Sequence, residues 1–171
     1  MIYFTSDLHL GHSNILSLCK RPFADVEEMN EVLIENYNKT VKSSDTVYII
    51  GDICYRLELQ RCNNLIKRLH GHKILIKGNH DLSYKTSLFD EILDFKYLKL
   101  DDGVRFALMH YPLLEWPSFY HGSYHVHGHL HESMEYNLRN KEKGIRRYDI
   151  GVDANNYTPV SIDYIIDFFK D

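Results

Sequence analysis

Apolar residues come in short bursts along this chain, and each burst stops at a polar phrase. Ile2-Tyr3-Phe4-Thr5, Thr46-Val47-Tyr48-Ile49-Ile50, Lys73-Ile74-Leu75-Ile76-Lys77, Val104-Arg105-Phe106-Ala107-Leu108-Met109 and Ser123–His127 are brief and rich in β-branched and aromatic residues, which predicts strands. The run 46–50 is apolar throughout, as expected of a strand covered on both faces. Further strands are expected near Phe95–Leu100 and over Tyr148–Asp153, with Asp101-Asp102-Gly103 as a hairpin turn. Elsewhere the period is helical. Val26, Met29, Leu33, Ile34 and Tyr37 form one stripe over Asp25–Val41, with Asp25 as the N-cap and Glu28 three residues on. Leu57–Leu69 reads as a second helix closed by Gly71, and Thr86–Leu93 as a helical turn. Ser161 opens a last helix that turns Ile162, Ile165, Ile166 and Phe169 inward. Gly11–Asn14 and Tyr111–Gly122 are expected as loops, the second because of Pro112 and Pro117. Glu132–Arg147 is polar and is expected to protrude as a hairpin or loop.

Composition narrows the class. A chain of 171 residues with 44% hydrophobic content supports one domain, 1–171, with a sizeable core. No apolar run is long enough to span a bilayer, and no basic leader opens the chain, so a cytoplasmic protein without a membrane partner is expected. The three cysteines, Cys19, Cys54 and Cys62, lack C-x-x-C spacing, which argues against a disulfide framework or a zinc–thiolate site. A net charge of −4 disfavours a strongly electrostatic nucleic-acid binder but leaves room for a basic patch at Lys141, Lys143, Arg146 and Arg147. Eleven histidines are many for this length, and they crowd between His110 and His131.

The chemistry lies where the strands stop. Polar phrases follow Thr5, Ile50, Lys77, Met109 and His127: Asp7-Leu8-His9, Gly51-Asp52, Gly78-Asn79-His80-Asp81, His110 and Gly128-His129-Leu130-His131. In open α/β sheets, ligands bind beyond the carboxyl ends of strands. Imidazole, carboxylate and amide oxygen together suit two metal ions with mixed O/N ligation. On an extended segment, residues i and i+2 project to the same side, so His129 and His131 are expected to serve one site or two adjacent ones. His12 is within reach of the same site, or lies on the surface.

The ordered set D-x-H, G-D, G-N-H-D, lone His and G-H-x-H resembles the calcineurin-like metallophosphoesterases over nearly the whole chain. The resemblance implies a four-layer α/β/β/α sandwich of two mixed β-sheets flanked by helices, with the metal site at strand C-terminal ends. It implies that Asp7, His9, Asp52 and His131 hold one metal. A second is held by Asp52 as a bridge with Asn79, His110 and His129. His80 is then no ligand but the catalytic acid or transition-state stabiliser. Two cations roughly 3.5–4 Å apart would clamp the attacking and leaving oxygens of an in-line displacement, with a bridging hydroxide as nucleophile. His80 would protonate the leaving alkoxide. Manganese is the first expectation for both ions, and iron, zinc, cobalt or nickel suit the same donors.

One position departs from the family's phosphoprotein-phosphatase branch, which carries G-D-x-x-D-R-G. Tyr55 stands where that branch keeps its second Asp, which weighs against a protein phosphatase. Arg56 stands where the branch keeps a phosphate-contacting Arg, so Arg56, with His12, is a candidate substrate ligand. The expected substrate is small and phosphorylated. The aromatics Tyr111, Trp116, Phe119 and Tyr120 allow a nucleotide, because a base can stack on them. The alternatives are a nuclease, supported by the basic patch, and a non-catalytic protein-binding scaffold, against which the complete residue set counts.

Overall fold

Strand alternation sorts the apolar residues of this protein into two cores. In the computed structural model, which describes residues 1–170, β1 (Ile2–Thr5), β2 (Thr46–Ile49) and β3 (His72–Ile76) run parallel. β4 (Glu91–Leu93) adds in parallel beside β3, and β9 (Val160–Ser161) adds antiparallel beside β1, giving the order β4-β3-β2-β1-β9. The second sheet has the order β5-β6-β7-β8, from β5 (Lys96–Lys99), β6 (Arg105–Leu108), β7 (Tyr124–His127) and β8 (Arg147–Asp149). It is parallel except at β5–β6, where Asp101-Asp102-Gly103 makes the expected reversal.

Phe4, Tyr48, Ile50, Ile74 and Ile76 of the first sheet meet Phe106, Leu108, Tyr124, Val126 and Tyr148 of the second. Their neighbours Val47, Ile49 and Leu75 point the other way, onto Met29, Leu33 and Tyr37 of α2 (Val26–Thr40) and Cys62 and Ile66 of α3 (Leu59–Lys67). This is the period of two at work. Each buried side chain of this size contributes roughly 1.5–3 kcal/mol. Asp25 caps α2 by accepting from the Glu28 N–H at 2.8 Å. Ser161 caps α5 (Ile162–Phe168) through the Tyr164 N–H, and Ile162 and Ile165 close the core between the sheets. With α4 (Met134–Glu142) beside β8, the architecture is the expected sandwich of two mixed sheets flanked by helices.

Three segments differ from expectation, and a fourth carried none. Glu132–Arg147 is not a protruding loop, because α4 occupies most of it. Its inward residues are Asn137 and Asn140 rather than aliphatics, so no apolar stripe announces it. Asn137 donates to the Asp149 carbonyl at 3.0 Å and accepts from the Asp149 N–H at 2.7 Å. A side-chain amide thus pairs an edge strand that would otherwise be open. The strand expected over Tyr148–Asp153 ends at Asp149, and Val152–Ala154 forms a 3₁₀ turn. Thr86–Leu93 splits into a 3₁₀ turn (Thr86–Leu88) and β4. A one-turn helix, α1 (Ile15–Leu18), follows the Gly11–Asn14 loop.

Candidate metal centre

The parallel strands bring their carboxyl ends together, and there the backbone leaves the extended region at once. Asp7, His9, Asp52, His129 and His131 all have positive φ, between 49° and 73°, so five of the seven expected ligands are left-handed. The extended-strand picture of His129 and His131 is therefore corrected: β7 ends at His127, and the two histidines sit on a left-handed turn. Such conformations cost of order 1–3 kcal/mol each for residues with a Cβ and persist only where the surroundings hold them.

Two charged side chains do the holding, Arg21 buried and Asp81 half-buried. The Arg21 guanidinium donates to the carbonyls of Asp7 (2.7 Å) and Leu8 (2.9 Å) and forms a two-point ion pair with Asp153 at 2.8 and 2.9 Å. The Asp81 carboxylate accepts from the N–H groups of Asp52 (3.0 Å), Ile53 (3.0 Å) and Gly78 (2.8 Å) and from the Tyr84 hydroxyl (2.9 Å). The glycines at the phrase starts answer a different need. A Cβ at Gly78 would collide with Asp52 Oδ1, and one at Gly128 with Ser6 Oγ and Asp7 Oδ2.

The ligand atoms converge. Those of Asp7, His9 and His131 lie within 4.8 Å of one another, as do those of Asp7, Asp52 and His110. Asp52 Oδ2 is 3.6 Å from His9 Nε2 and 3.5 Å from His110 Nε2, so one oxygen faces both groups. Asn79 Oδ1 lies 3.1 Å from His110 Nε2 and 3.0 Å from His129 Nδ1. Outer partners set the rings: His110 Nδ1 sits 2.9 Å from the Ile50 carbonyl, and His131 Nδ1 sits 2.8 Å from Asp153 Oδ2. Each leaves Nε2 for the centre, the usual support of a metal-binding imidazole.

These residues fit a cation. Asp7 Oδ1 and His9 Nε2 are buried, 4.0 Å apart, and neither has a hydrogen-bond partner. Buried polar atoms are nearly always paired, so two orphans facing each other mark a place for a positive ion. The electrostatics agree. Burial pushes the Asp7 carboxyl up. Burial, and then the charge of His131, push the His9 imidazole down to about 3. Burial also opposes the charge on His131, but hydrogen bonding to Asp153 and the nearby Asp7 push it up to about 10. For Asp52, the contacts with His110 outweigh burial and hold the carboxyl low.

The other expected residues cluster on the His9 side. The His80 N–H donates to Asp52 Oδ1 at 2.9 Å, and its ring stands edge-on to Tyr55 (centroids 4.6 Å) and to His9 (5.7 Å). The His12 ring lies 4.0 Å from Tyr55, and its Nδ1 is 3.4 Å from His9 Nδ1. Arg56 is exposed, with its guanidinium 5.2 Å above the Tyr55 ring. On the opposite side, Tyr111 stands edge-on to His129 at 4.6 Å. The rest of its loop divides: Trp116 is buried against His125 and Phe119, and Tyr120 is 78% exposed. Three of the four residues of the basic patch are engaged elsewhere. Lys141 donates to the Lys170 carbonyl, Arg146 to that of Gly122 and Arg147 to that of Leu113.

Sequence reasoning missed Arg21 and Asp153, and saw Asp81 only as a member of a polar phrase. Asp153 carried a readable signal, a carboxylate just past an apolar strand-like run. Arg21 carried none, because its partner lies 132 residues away.

A phosphoesterase class is what this fold and these strand-end donors define, and the family match agrees. The model of the family described as calcineurin-like phosphoesterase matches residues 1–149, and the chain belongs to that family. Membership implies a metal-dependent hydrolase of phosphate esters. Among relatives, the uncharacterized protein MJ1445 of Methanocaldococcus jannaschii is 36% identical over 168 residues, covering 96% of this chain and 89% of its own. The gene 66 protein of Mycobacterium phage L5 is 27% identical over 182 residues, covering 89% and 86%. The crystal structure of AQ665 from Aquifex aeolicus, a protein of unknown function, superposes with a TM-score of 0.75 at 31% identity, over 98% of each chain. No helix among the described residues is long and apolar enough to cross a membrane.

Proposed function

We propose that this protein is a two-metal phosphoesterase that hydrolyses a small phosphodiester or phosphomonoester, with a nucleotide-derived compound as the leading substrate class. Asp7, His9, Asp52 and His131 hold one divalent cation. Asp52, Asn79, His110 and His129 hold the other. The observation that carries this reading is Asp52 Oδ2, which faces His9 Nε2 and His110 Nε2 at nearly equal distances of 3.6 and 3.5 Å. Manganese is the first candidate, and donor chemistry admits iron, zinc, cobalt or nickel. Divalent cations in such a pair supply the positive charge that activates water at neutral pH and stabilises the phosphoryl oxygens.

The chain's own residues do the rest. Leu8, Leu10, Ile53 and Cys54, all buried, dry the floor behind the donors, which strengthens every electrostatic contact above it. The left-handed turns fix the ligand directions before any substrate arrives, so little reorganisation is left for the reaction itself. His80 hangs from a backbone tied to Asp52, with its ring half-buried between Tyr55 and His9. From there it holds a proton for the departing oxygen. The engagement of Lys141, Arg146 and Arg147 within the fold favours a small substrate over a nucleic acid.

The test pairs two variants assayed on bis(4-nitrophenyl) phosphate with added Mn²⁺. Asp52→Asn is expected to abolish turnover and to lower the bound metal measured by elemental analysis. His80→Ala is expected to keep the metal and lose about 10²–10⁴-fold in kcat, the usual worth of a general acid. Full activity in Asp52→Asn would refute the two-metal reading. Metal loss in His80→Ala would make His80 a ligand instead.

A further inference from the structure

The centre opens on its His9 and His131 side into a cleft of about 380 Å³. Much of that cleft is not metal-binding chemistry. Ile15 and Leu18 of α1 form one wall, Tyr55 and Arg56 another, and His12 and His80 join them to the donors. Leu18 is 71% exposed, on a one-turn helix, where an aliphatic gains little from the protein's own packing. Tyr55 is held as a wall: His12 lies along its ring at 4.0 Å and His80 abuts it edge-on at 4.6 Å. Arg56 has a left-handed backbone (φ 49°) and, apart from the Tyr55 ring 5.2 Å away, its guanidinium meets no hydrogen-bond or ion-pair partner among the described residues.

Resting on the phosphoesterase reading above, we propose that this cleft is the subsite for the departing group, and that it takes a flat, largely apolar alcohol such as an aryl or nucleoside unit. Three observations converge. His80 lines the cleft, and a proton donor must lie within hydrogen-bond reach of the oxygen it protonates, so the departing group lies on this side. The walls are an aliphatic, the Tyr55 ring with its His12 neighbour, and one guanidinium, a combination that takes a planar ring by dispersion and against the guanidinium. The volume sits near the lower end of small-molecule sites, roughly 300–1,000 Å³, so it holds a single ring system rather than a duplex or a folded partner. The step balances. A water oxygen forms the new bond to phosphorus and gives up a proton to solvent, the bond from phosphorus to the departing oxygen breaks, that oxygen takes its proton from His80, and His80 regains one from solvent. Leu138, a 46% exposed aliphatic on α4 that does not line this cleft, serves as an internal control.

The experiment uses the manganese-loaded full chain and two ligands that cannot be hydrolysed, 1-naphthylmethylphosphonate and methylphosphonate, titrated by calorimetry. Wild type is expected to bind the naphthyl compound at least tenfold more tightly. Leu18→Gln and Tyr55→Ala each reduce that ratio below threefold, whereas Leu138→Gln keeps it. Kinetics supply a second readout: Leu18→Gln raises the KM for 1-naphthyl phosphate about tenfold and leaves kcat within threefold. Equal affinity of wild type for the two phosphonates, or a preference that survives in both cleft variants, overturns the subsite while ester hydrolysis stands. A wild type that hydrolyses no ester overturns the phosphoesterase reading, and the departing-group assignment with it.

Discussion

The loop bearing Asp7 and His9 is held by a buried cation, whereas the loops bearing Asp52 and Asn79 are held by a half-buried anion. Arg21 donates to inward carbonyls of the first, and Asp81 accepts from inward N–H groups of the second. Asp7, His9 and Asp52 all sit on left-handed turns, and Asn79 does not. What differs is which end of the peptide dipole the turn exposes to the interior, and that sets the sign of the charge that must meet it. The consequence reaches the ligands. Arg21 needs a counter-ion and has Asp153, which in turn orients His131. The His131 side is therefore a chain of opposite charges, shielded at Arg21 and Asp153 and open to the cleft at His131. The His129 side has no such chain, and its Asn79 is exposed while His129 is half-buried.

Three perturbations should break this contrast or sharpen it. The largest effect is expected from Arg21→Met. It strands the Asp153 carboxylate in the interior and removes the donors to Asp7 and Leu8, so it should cost about 3–5 kcal/mol. Asp81→Asn keeps part of its hydrogen bonding and should cost about 1–3 kcal/mol. Urea unfolding of the two variants checks the order, and equal losses would erase the asymmetry. Next, Asp153→Asn leaves the buried Arg21 without its counter-ion while an amide oxygen still accepts from the guanidinium, so it should cost about 1–3 kcal/mol, and it should also weaken metal binding about 10–100-fold, as removal of an outer partner does. Competition with a chelator measures it, and the bound metal should fall by one ion rather than two.

The smallest effect is a pH dependence. His131 is raised to about 10 in the metal-free centre, above the ordinary imidazole value of 6.5. The metal-free fold thus keeps a proton that the unfolded chain has already lost over that window. The stabilisation from His131 is complete below about pH 6.5 and fades as pH rises through about 10. Metal binding should show the opposite trend, because a cation must displace the same proton. Between pH 7 and 10, urea midpoints of the metal-free protein should fall while manganese affinity rises. The stability slope should flatten in His131→Ala.

Residues close to strand ends were legible because their role depends on local order along the chain. Asp7, Asp52, His80 and His110 each follow an apolar run within four residues, so finding the strands finds them. The α2 stripe and its Asp25 cap were legible for the same reason. Helix α4 was not, because its buried face is made of asparagines that serve the backbone of β8. Nor was β9, since two residues paired with β1 leave no periodic trace. Tyr55 was legible as a departure from a family pattern, but its place as a wall beside His80 was not.

By itself, then, the sequence determined the alternation that splits two cores, the order of the strand-end phrases, and so the class of chemistry. Those are properties of neighbours along the chain, where side-chain period and backbone preference act over a few residues. Only the tertiary structure decided that the ligands sit on left-handed turns, that Arg21 reaches Asp153 from 132 residues away, and that α1 meets Tyr55 across a cleft. Those depend on which carbonyls and N–H groups are left facing inward once the sheets have packed, and no local pattern carries that information.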